Sequence, residues 1–354
     1  MDITPGPEVL AMRKTIIEFA RKELNPGIED RDRSATFSRA LWDKCAAMRL
    51  IALPFPEEFG GDGFDFVTTV MAYQALGYAC KDSGLAHALS TQVICGILIW
   101  LFGSDEQKRT LLPGLISGEH IFCQGITEPG SGSDAFAMRT TAVRDGEEYI
   151  LNGSKTMITN APVADRALVF CVTDATRKVL GGISCFMLQK GQPGFTQGRP
   201  MDKMGLRTLT NGELVMEDCR VPSASLIGRE GQGAIMFSEV MEWERTLIPA
   251  LLLGELERTL EESVRYARER EAFGKPIAEF QAVSHKIAAM KMNVELGRLA
   301  LYQAAGLKDK RKRAILETSV AKLFISESLK QACLDAVQIR GGYGYMTEYE
   351  AERE

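Results

Sequence analysis

The feature that most limits how this chain can fold is a change of period. Between about Glu119 and Leu226 the apolar residues fall in short β-branched runs separated by turn residues. On either side they recur three and four residues apart. Alternation suits half-buried strands, and the three-and-four spacing suits a helix face, so the segments belong to different kinds of layer. The predicted fold is therefore α+β and multidomain. An N-terminal helical domain (1–118) and a central antiparallel β domain (119–230) precede a C-terminal helical bundle (231–354).

In the first segment, Leu10, Lys14, Ile17 and Arg21 open an amphipathic helix that Pro26 stops. A loop of Pro54, Pro56, Gly60, Gly61 and Gly63 then precedes two further apolar helices. In the middle segment, Arg139 to Val143, Tyr149 to Leu151, Arg166 to Thr173, Ile183 to Leu188 and Gly212 to Met216 read as strands. Asp145-Gly146 and Asn152-Gly153 are predicted hairpin turns. Helical periodicity returns at Gly233 and lasts to about Arg340. The run Val93 to Phe102 is strongly apolar but only ten residues long, too short to span a bilayer, so a buried core helix and no membrane insertion are expected.

Charge and cysteine usage narrow the function. The formal net charge is −5, and the one dense basic cluster, Lys308 to Arg313, is expected to be a solvated loop between helices, so nucleic acid is not the expected partner. Eight cysteines are scattered without a CxxC pair, and no histidine sits at ligand spacing. Buried free thiols in a reduced, cytoplasmic protein are expected rather than a disulfide scaffold or metal site. The start of the chain is charged and lacks the apolar core of a signal peptide.

The sharpest local signal is TEPGSGSD, Thr127 to Asp134. Glycines at 130 and 132 let backbone amides approach a ligand, and Thr127 and Ser133 offer hydroxyls. It follows the strand-like run HIFCQGI and precedes a hairpin ending in KTMITNAP, Lys155 to Pro162. Together with KMGLRTLTNGELVMEDCRVP (Lys203 to Pro222), the AFGKPIAEFQAV stretch after Arg270 and QIRGGYGYMTEY (Gln338 to Tyr349), these segments resemble, in order, the motifs of the acyl-CoA dehydrogenase family. NAPVAD (Asn160 to Asp165) and Trp243-Glu244 also look like the carrier-protein-dependent prolyl dehydrogenases of secondary metabolism.

The resemblance implies an FAD site. Gln124, Ile126 and Thr127 would meet the flavin ring edge, Gly132 and Ser133 the pyrophosphate, and Thr159 the hydride-accepting nitrogen. Met157 stands where the family commonly has an aromatic residue against the flavin. Arg270, Phe273, Gln338 and Gly342 would reach the FAD of a neighbouring subunit, which implies a homodimer or homotetramer. Arg245 and Ser133 would touch the substrate, with Arg245 as thioester contact or plain salt bridge. Electron-transfer flavoprotein is the implied acceptor.

α,β-Dehydrogenation needs a carboxylate to take the α-proton. The YEGT-like motif that carries it in many members is absent, because the sequence stops at Glu354, and Tyr349-Glu350 belongs to a different stretch. The helix after Gly233 offers another. Phe237, Val240, Met241, Leu247, Ile248 and Leu251 share one helix face with Glu244, which interrupts that apolar stripe. Burial there is expected to raise the pKa of Glu244 toward that of a base. Glu242 and Glu239 are expected to face solvent, and Pro249 to kink the helix. E-W-E-R (Glu242 to Arg245) is similar to the D-L-E-R of isovaleryl- and long-chain-type members, whose base sits at this helix position. The expected activity is FAD-dependent dehydrogenation of an acyl thioester on coenzyme A or a carrier protein. An oxidase or monooxygenase on the same fold, or a non-catalytic flavoprotein, are the alternatives.

Overall fold

Local chemistry sets several helix starts. After α1 (Pro7–Phe19, continued by a π turn at Ala20–Leu24) and α2 (Ile28–Arg33) come four capped helices: α3 (Arg39–Ala47), α4 (Phe66–Ala79), α5 (Ser83–Phe102) and α6 (Asp105–Ile116). Ser38, Asp65, Asp82 and Ser104 each turn a side-chain oxygen onto a first-turn N–H, at Leu41, Thr68, Leu85 and Gln107 respectively. Each such cap satisfies a backbone donor that the helix itself cannot. Then follow β1 (Phe122–Gly125), β2 (Thr141–Asp145), β3 (Glu148–Thr159), β4 (Arg166–Val172), β5 (Ile183–Gln189), β6 (Phe195–Gln197), β7 (Asn211–Pro222) and β8 (Leu226–Ile227). The chain closes with α7 (Gly233–Glu269), α8 (Gln281–Asp309) and α9 (Ile315–Arg340). This computed structural model describes residues 6–177, 179–351 and 353. The first residues of the N-terminal stretch and the terminal Glu354 lie outside them.

Contacts group the chain into two units, each built from separated stretches. The first comprises residues 1–26, 65–81 and 245–354. In it α4 and α7 cross at backbone contact. A Cβ on Gly77 would lie 2.1 Å from the Leu251 carbonyl oxygen, and one on Gly254 2.1 Å from that of Gln74. Arg258 then donates to the carbonyls of Gly77 (2.6 Å) and Cys80 (3.1 Å), closing the C-terminal end of α4. At the other end, Asp309 accepts from the N–H groups of Phe66 (2.6 Å) and Val67 (3.1 Å). The basic cluster is thus only partly a solvated loop. Lys310 to Arg313 are exposed, but Lys308 is buried at 3%, because the end of α8 is packed where Asp309 caps α4.

The second unit comprises residues 27–64 and 82–244 and holds the sheet, ordered β6-β7-β3-β2-β4-β5-β8 with β1 beside β4. Most pairings are antiparallel, while β1 and β2 run parallel to β4. Its core gathers Cys123, Leu151, Val169, Phe186, Leu214 and Val221 from the alternating inward positions. The Asp145-Gly146 hairpin forms as predicted, Asp145 pairing with Glu148 and Gly146 at φ 62°. Asn152-Gly153 does not turn the chain. It lies inside the twelve-residue β3 opposite a bulge in β7, where Glu217 and Asp218 together face Asn152 between the Leu151–Cys219 and Gly153–Met216 pairs. The reason is a side-chain clasp across the ribbon. Asn152 Nδ2 donates to Asp218 Oδ1 (3.1 Å) and Asp218 N–H to Asn152 Oδ1 (2.8 Å), holding the extra residue within the β3–β7 pairing.

The apolar run expected as a ten-residue core helix begins ten residues earlier. α5 spans 20 residues with a mean hydropathy of 1.8 over its most apolar window, long and apolar enough to cross a membrane by those two measures alone. In the protein, 72% of that window is buried. All eight cysteines are free, seven of them buried and Cys333 half-buried.

Candidate active site

Within the second unit the glycine-rich loop is anchored from behind. Lys155, wholly buried on β3, donates to Glu128 Oε1 (2.7 Å) and to the Ile126 carbonyl (3.2 Å). Glu128 also accepts from the N–H groups of Arg139 (2.6 Å) and Thr140 (3.0 Å). Burial alone would push the Glu128 carboxyl up, but the Lys155 ammonium and these amides outweigh it and hold it below its ordinary value. The Thr156 N–H bonds the Thr127 carbonyl at 2.9 Å. This buried pair was not anticipated from sequence. Its signal was a glutamate inside a Gly/Ser loop and a lysine at an inward position of a strand.

With the loop fixed at Glu128, its ligand-facing groups are left open. Gln124, Ile126 and Thr127 are half-buried, and Gly130, Gly132 and Ser133 are exposed. A Cβ added at Gly130 or Gly132 would meet nothing within 4 Å, so the protein's own packing does not require glycine there. Gln124 Oε1 is buried without a hydrogen-bond partner among the described residues. Across from the loop on β3, Met157 sits at φ 58° with 65% exposure, a conformation that costs a non-glycine residue energy. Asn211 holds it, donating to the Met157 carbonyl (2.9 Å) and Thr159 Oγ1 (3.3 Å). The structure thus brings Gln124, Ile126, Thr127, Gly132, Ser133, Met157 and Thr159 onto β1, the loop that follows it and the strand tied to that loop.

Glu244 lies in the same unit, half-buried on α7. The Cys95 thiol on α5 is pushed well up, first by burial, then by Cys123 and by the Glu244 carboxylate. The expectation for its neighbours fails. Glu242 is more buried, at 1%, and Glu239 is half-buried, accepting from Trp243 Nε1 at 3.3 Å. α7 is enclosed on more than one side, so the single-stripe rule for a surface helix does not sort its carboxylates. The helix continues through Pro249, whose missing N–H leaves the Arg245 carbonyl without its helical donor.

The remaining predicted residues lie in the first unit. Arg245 is half-buried with no ion-pair partner among the described residues. Arg270 is exposed, its guanidinium 5.9 Å from the centre of the Tyr343 ring, which brings it to the segment of Gln338 and Gly342, both exposed. Phe273 is 95% exposed at φ 53°, turned out of its own unit's core.

A glycine loop with open hydroxyls, a strand edge beside it and a half-buried helix-borne carboxylate define a flavoenzyme-type site. Family models match nearly the whole chain: the acyl-CoA dehydrogenase N-terminal domain over 6–119, middle domain over 123–219 and C-terminal domain over 231–354. The chain belongs to the acyl-CoA dehydrogenase family. It is 39% identical over 346 residues to an acyl-CoA dehydrogenase of Bacillus subtilis, covering 98% of this chain and 91% of that protein. Among solved structures it is similar to the prolyl acyl carrier protein oxidase AnaB (TM-score 0.97, 40% identity, 99% of this chain and 93% of that one). The electron transferring flavoprotein of Acidaminococcus fermentans gives 0.96, 41%, 100% and 92%. The FAD complex of PigA gives 0.96, 35%, 100% and 92%.

The enzyme is an oxidoreductase acting on CH–CH bonds, and FAD is its cofactor. The site fits that group on its own evidence: the orphaned Gln124 oxygen, the open space over Gly130 and Gly132, and the Thr127 and Ser133 hydroxyls without partners among the described residues.

Proposed function

We propose that this chain desaturates an acyl thioester, carried on coenzyme A or on a carrier protein, with Glu244 removing the α-proton. The observation that carries the reading is the placement of Glu244, a half-buried carboxylate in the same unit as the glycine loop, whose charge is felt at the buried Cys95. FAD, when bound, accepts the two electrons and proton that leave the β-carbon as hydride. The protein's part is to take the other proton at Glu244, to orient the thioester, and to keep water away. Arg245, half-buried and without an acidic partner, is assigned to the thioester arm, together with the Ser133 hydroxyl. Gln124, Ile126, Thr127, Gly132, Ser133, Met157 and Thr159 are assigned to the flavin within the subunit. Arg270, Phe273, Gln338 and Gly342 are assigned to a neighbour's cofactor. The outward Phe273 and the unpaired Arg270 support a homodimer or homotetramer, and a monodisperse monomer with full FAD content in sedimentation would remove that assignment.

Glu244→Gln tests the base. Glutamine keeps the size but cannot accept the α-proton, so FAD content should hold while the rate of flavin reduction by substrate falls roughly two to four orders of magnitude. Reduction at the wild-type rate would move the base elsewhere. The likeness to an electron transferring flavoprotein supports such a protein as acceptor. The likeness to AnaB, named an oxidase, favours a second reading in which oxygen takes the electrons. Reoxidation of the substrate-reduced flavin in air, faster than by electron-transfer flavoprotein, would select it.

A further inference from the structure

β3 carries one residue too many near its C-terminal end. Lys155 pairs with Leu214 and Ile158 with Gly212, so three steps along β3 answer two along β7. The break falls at Met157, whose φ of 58° interrupts the extended run. Burial changes phase there. Tyr149, Leu151 and Lys155 are buried on alternate positions, and past the bulge the buried residues are Thr156 and Ile158. Unbroken alternation would have sent Thr159 inward with Lys155. The bulge leaves it half-buried, on the less enclosed face with Met157.

Asn211, the first residue of β7, pairs with Thr159 and closes this bulge. Its Nδ2 donates to the Met157 carbonyl (2.9 Å) and to Thr159 Oγ1 (3.3 Å). A carbonyl can only accept, so the Met157 oxygen decides which end of the amide faces β3, and the NH2 end can only donate. Thr159 Oγ1 is therefore an acceptor toward Asn211 and does not spend its proton there. That proton meets no other acceptor among the described residues. The hydroxyl assigned to the hydride-accepting nitrogen is thus held with a proton to give.

We propose that Asn211 is a positioning residue that reserves the Thr159 proton for FAD and so lowers the midpoint potential of the bound cofactor. This role rests on the assignment of Thr159 to the flavin, and only Asn211 and the direction of its effect are new. Oxidised flavin presents a lone pair at the hydride-accepting nitrogen, which a hydroxyl with a free proton satisfies. Reduced flavin carries a hydrogen on that nitrogen, so the same proton would face a donor. The arrangement favours oxidised FAD over reduced.

The test is a redox titration of the FAD-loaded protein against a reference dye, with no substrate present. Asn211→Leu, similar in size, removes both donors and frees the hydroxyl to turn its lone pairs to the flavin. Reduced FAD should gain roughly three- to tenfold in affinity relative to oxidised FAD, the span of one hydrogen bond. For a two-electron couple that raises the midpoint potential by about 15–30 mV. Thr159→Val should raise it similarly, and adding Asn211→Leu to Thr159→Val should change nothing more, because the amide acts through the hydroxyl. If Asn211→Leu fails to bind FAD, Asn211→Ser carries the same prediction, its one proton serving Met157 while its lone pairs draw that of Thr159. An unchanged or lower potential, or a full shift in the Thr159→Val background, would overturn the proposal. A shift in Thr159→Val without one in Asn211→Leu strikes Asn211 alone. If Thr159→Val moves neither potential nor FAD affinity, the flavin assignment of Thr159 fails and the role of Asn211 with it.

Discussion

Two glycine sites, one inside β3 and one on the loop tied to it, obey different masters. At Gly153 the protein itself demands glycine: φ is 140°, and a Cβ would lie 2.6 Å from Thr140 Oγ1 and 2.7 Å from Thr140 Cα. At Gly130 and Gly132, on the loop tied to that strand, φ is ordinary and a Cβ would meet nothing. The first glycine serves the fold. The second pair leaves room for something outside the chain. Sequence alone does not separate these cases, because both look like turn punctuation.

The comparison can be broken first at the joint between the two sites. Lys155→Met leaves the Glu128 carboxylate buried without its cation, and loss of one member of such a pair costs about 3–5 kcal/mol. Chemical denaturation should show that loss, and a change below ~1 kcal/mol would mean the loop is not held by this pair. The same pair carries a pH signature. The folded Glu128 carboxyl lies below its ordinary 4.5, so its contribution is fully present above that value and is lost as pH falls through the lowered folded one. Lys155→Met should therefore flatten the acid limb of the stability curve.

Gly153→Ala comes next, at about 1–3 kcal/mol of stability, from a backbone conformation alanine resists and the contact with Thr140. Its FAD affinity, measured on the folded fraction, should be unchanged. Gly132→Ala should do the opposite, with stability within about 0.5 kcal/mol of wild type and FAD bound roughly tenfold more weakly by fluorescence titration. Equal stability losses at both positions would erase the distinction. The smallest effects belong to the hydroxyls. Thr127→Ala and Ser133→Ala should each weaken FAD by about 0.5–1.5 kcal/mol without unfolding the protein. Unchanged affinity in both would take these side chains out of the cofactor site.

Much of this was legible because it is local. Helical and alternating periods, the Asp145-Gly146 turn and the glycine loop each depend on a few neighbouring residues. What the sequence did not disclose depends on partners far along the chain. Asn152-Gly153 carries the same turn chemistry as Asp145-Gly146, but Asp218, sixty-six residues on from Asn152, clasps it into a continuous strand opposite a bulge in β7. Glu242 looks like a surface charge beside Glu244 until α7 is seen to be enclosed on a second side. From sequence α5 reads as only ten residues because His87, Ser90, Thr91 and Gln92 precede its apolar run. Those residues are helical all the same, some bonding backbone carbonyls and some opening along its one exposed line.

The scattered cysteines also make the protein its own unfolding clock. Six thiols (Cys45, Cys95, Cys123, Cys171, Cys185 and Cys219) belong to the sheet-bearing unit, all of them buried, and two (Cys80 and Cys333) to the other. An alkylating reagent reaches a buried thiol only during an opening event, so the mass added over time counts such events without an introduced label. Cys333, half-buried, should react first and serve as the internal zero. If the sheet-bearing unit opens as one body, its six thiols should be capped together, and the intermediate masses between none and six should never accumulate.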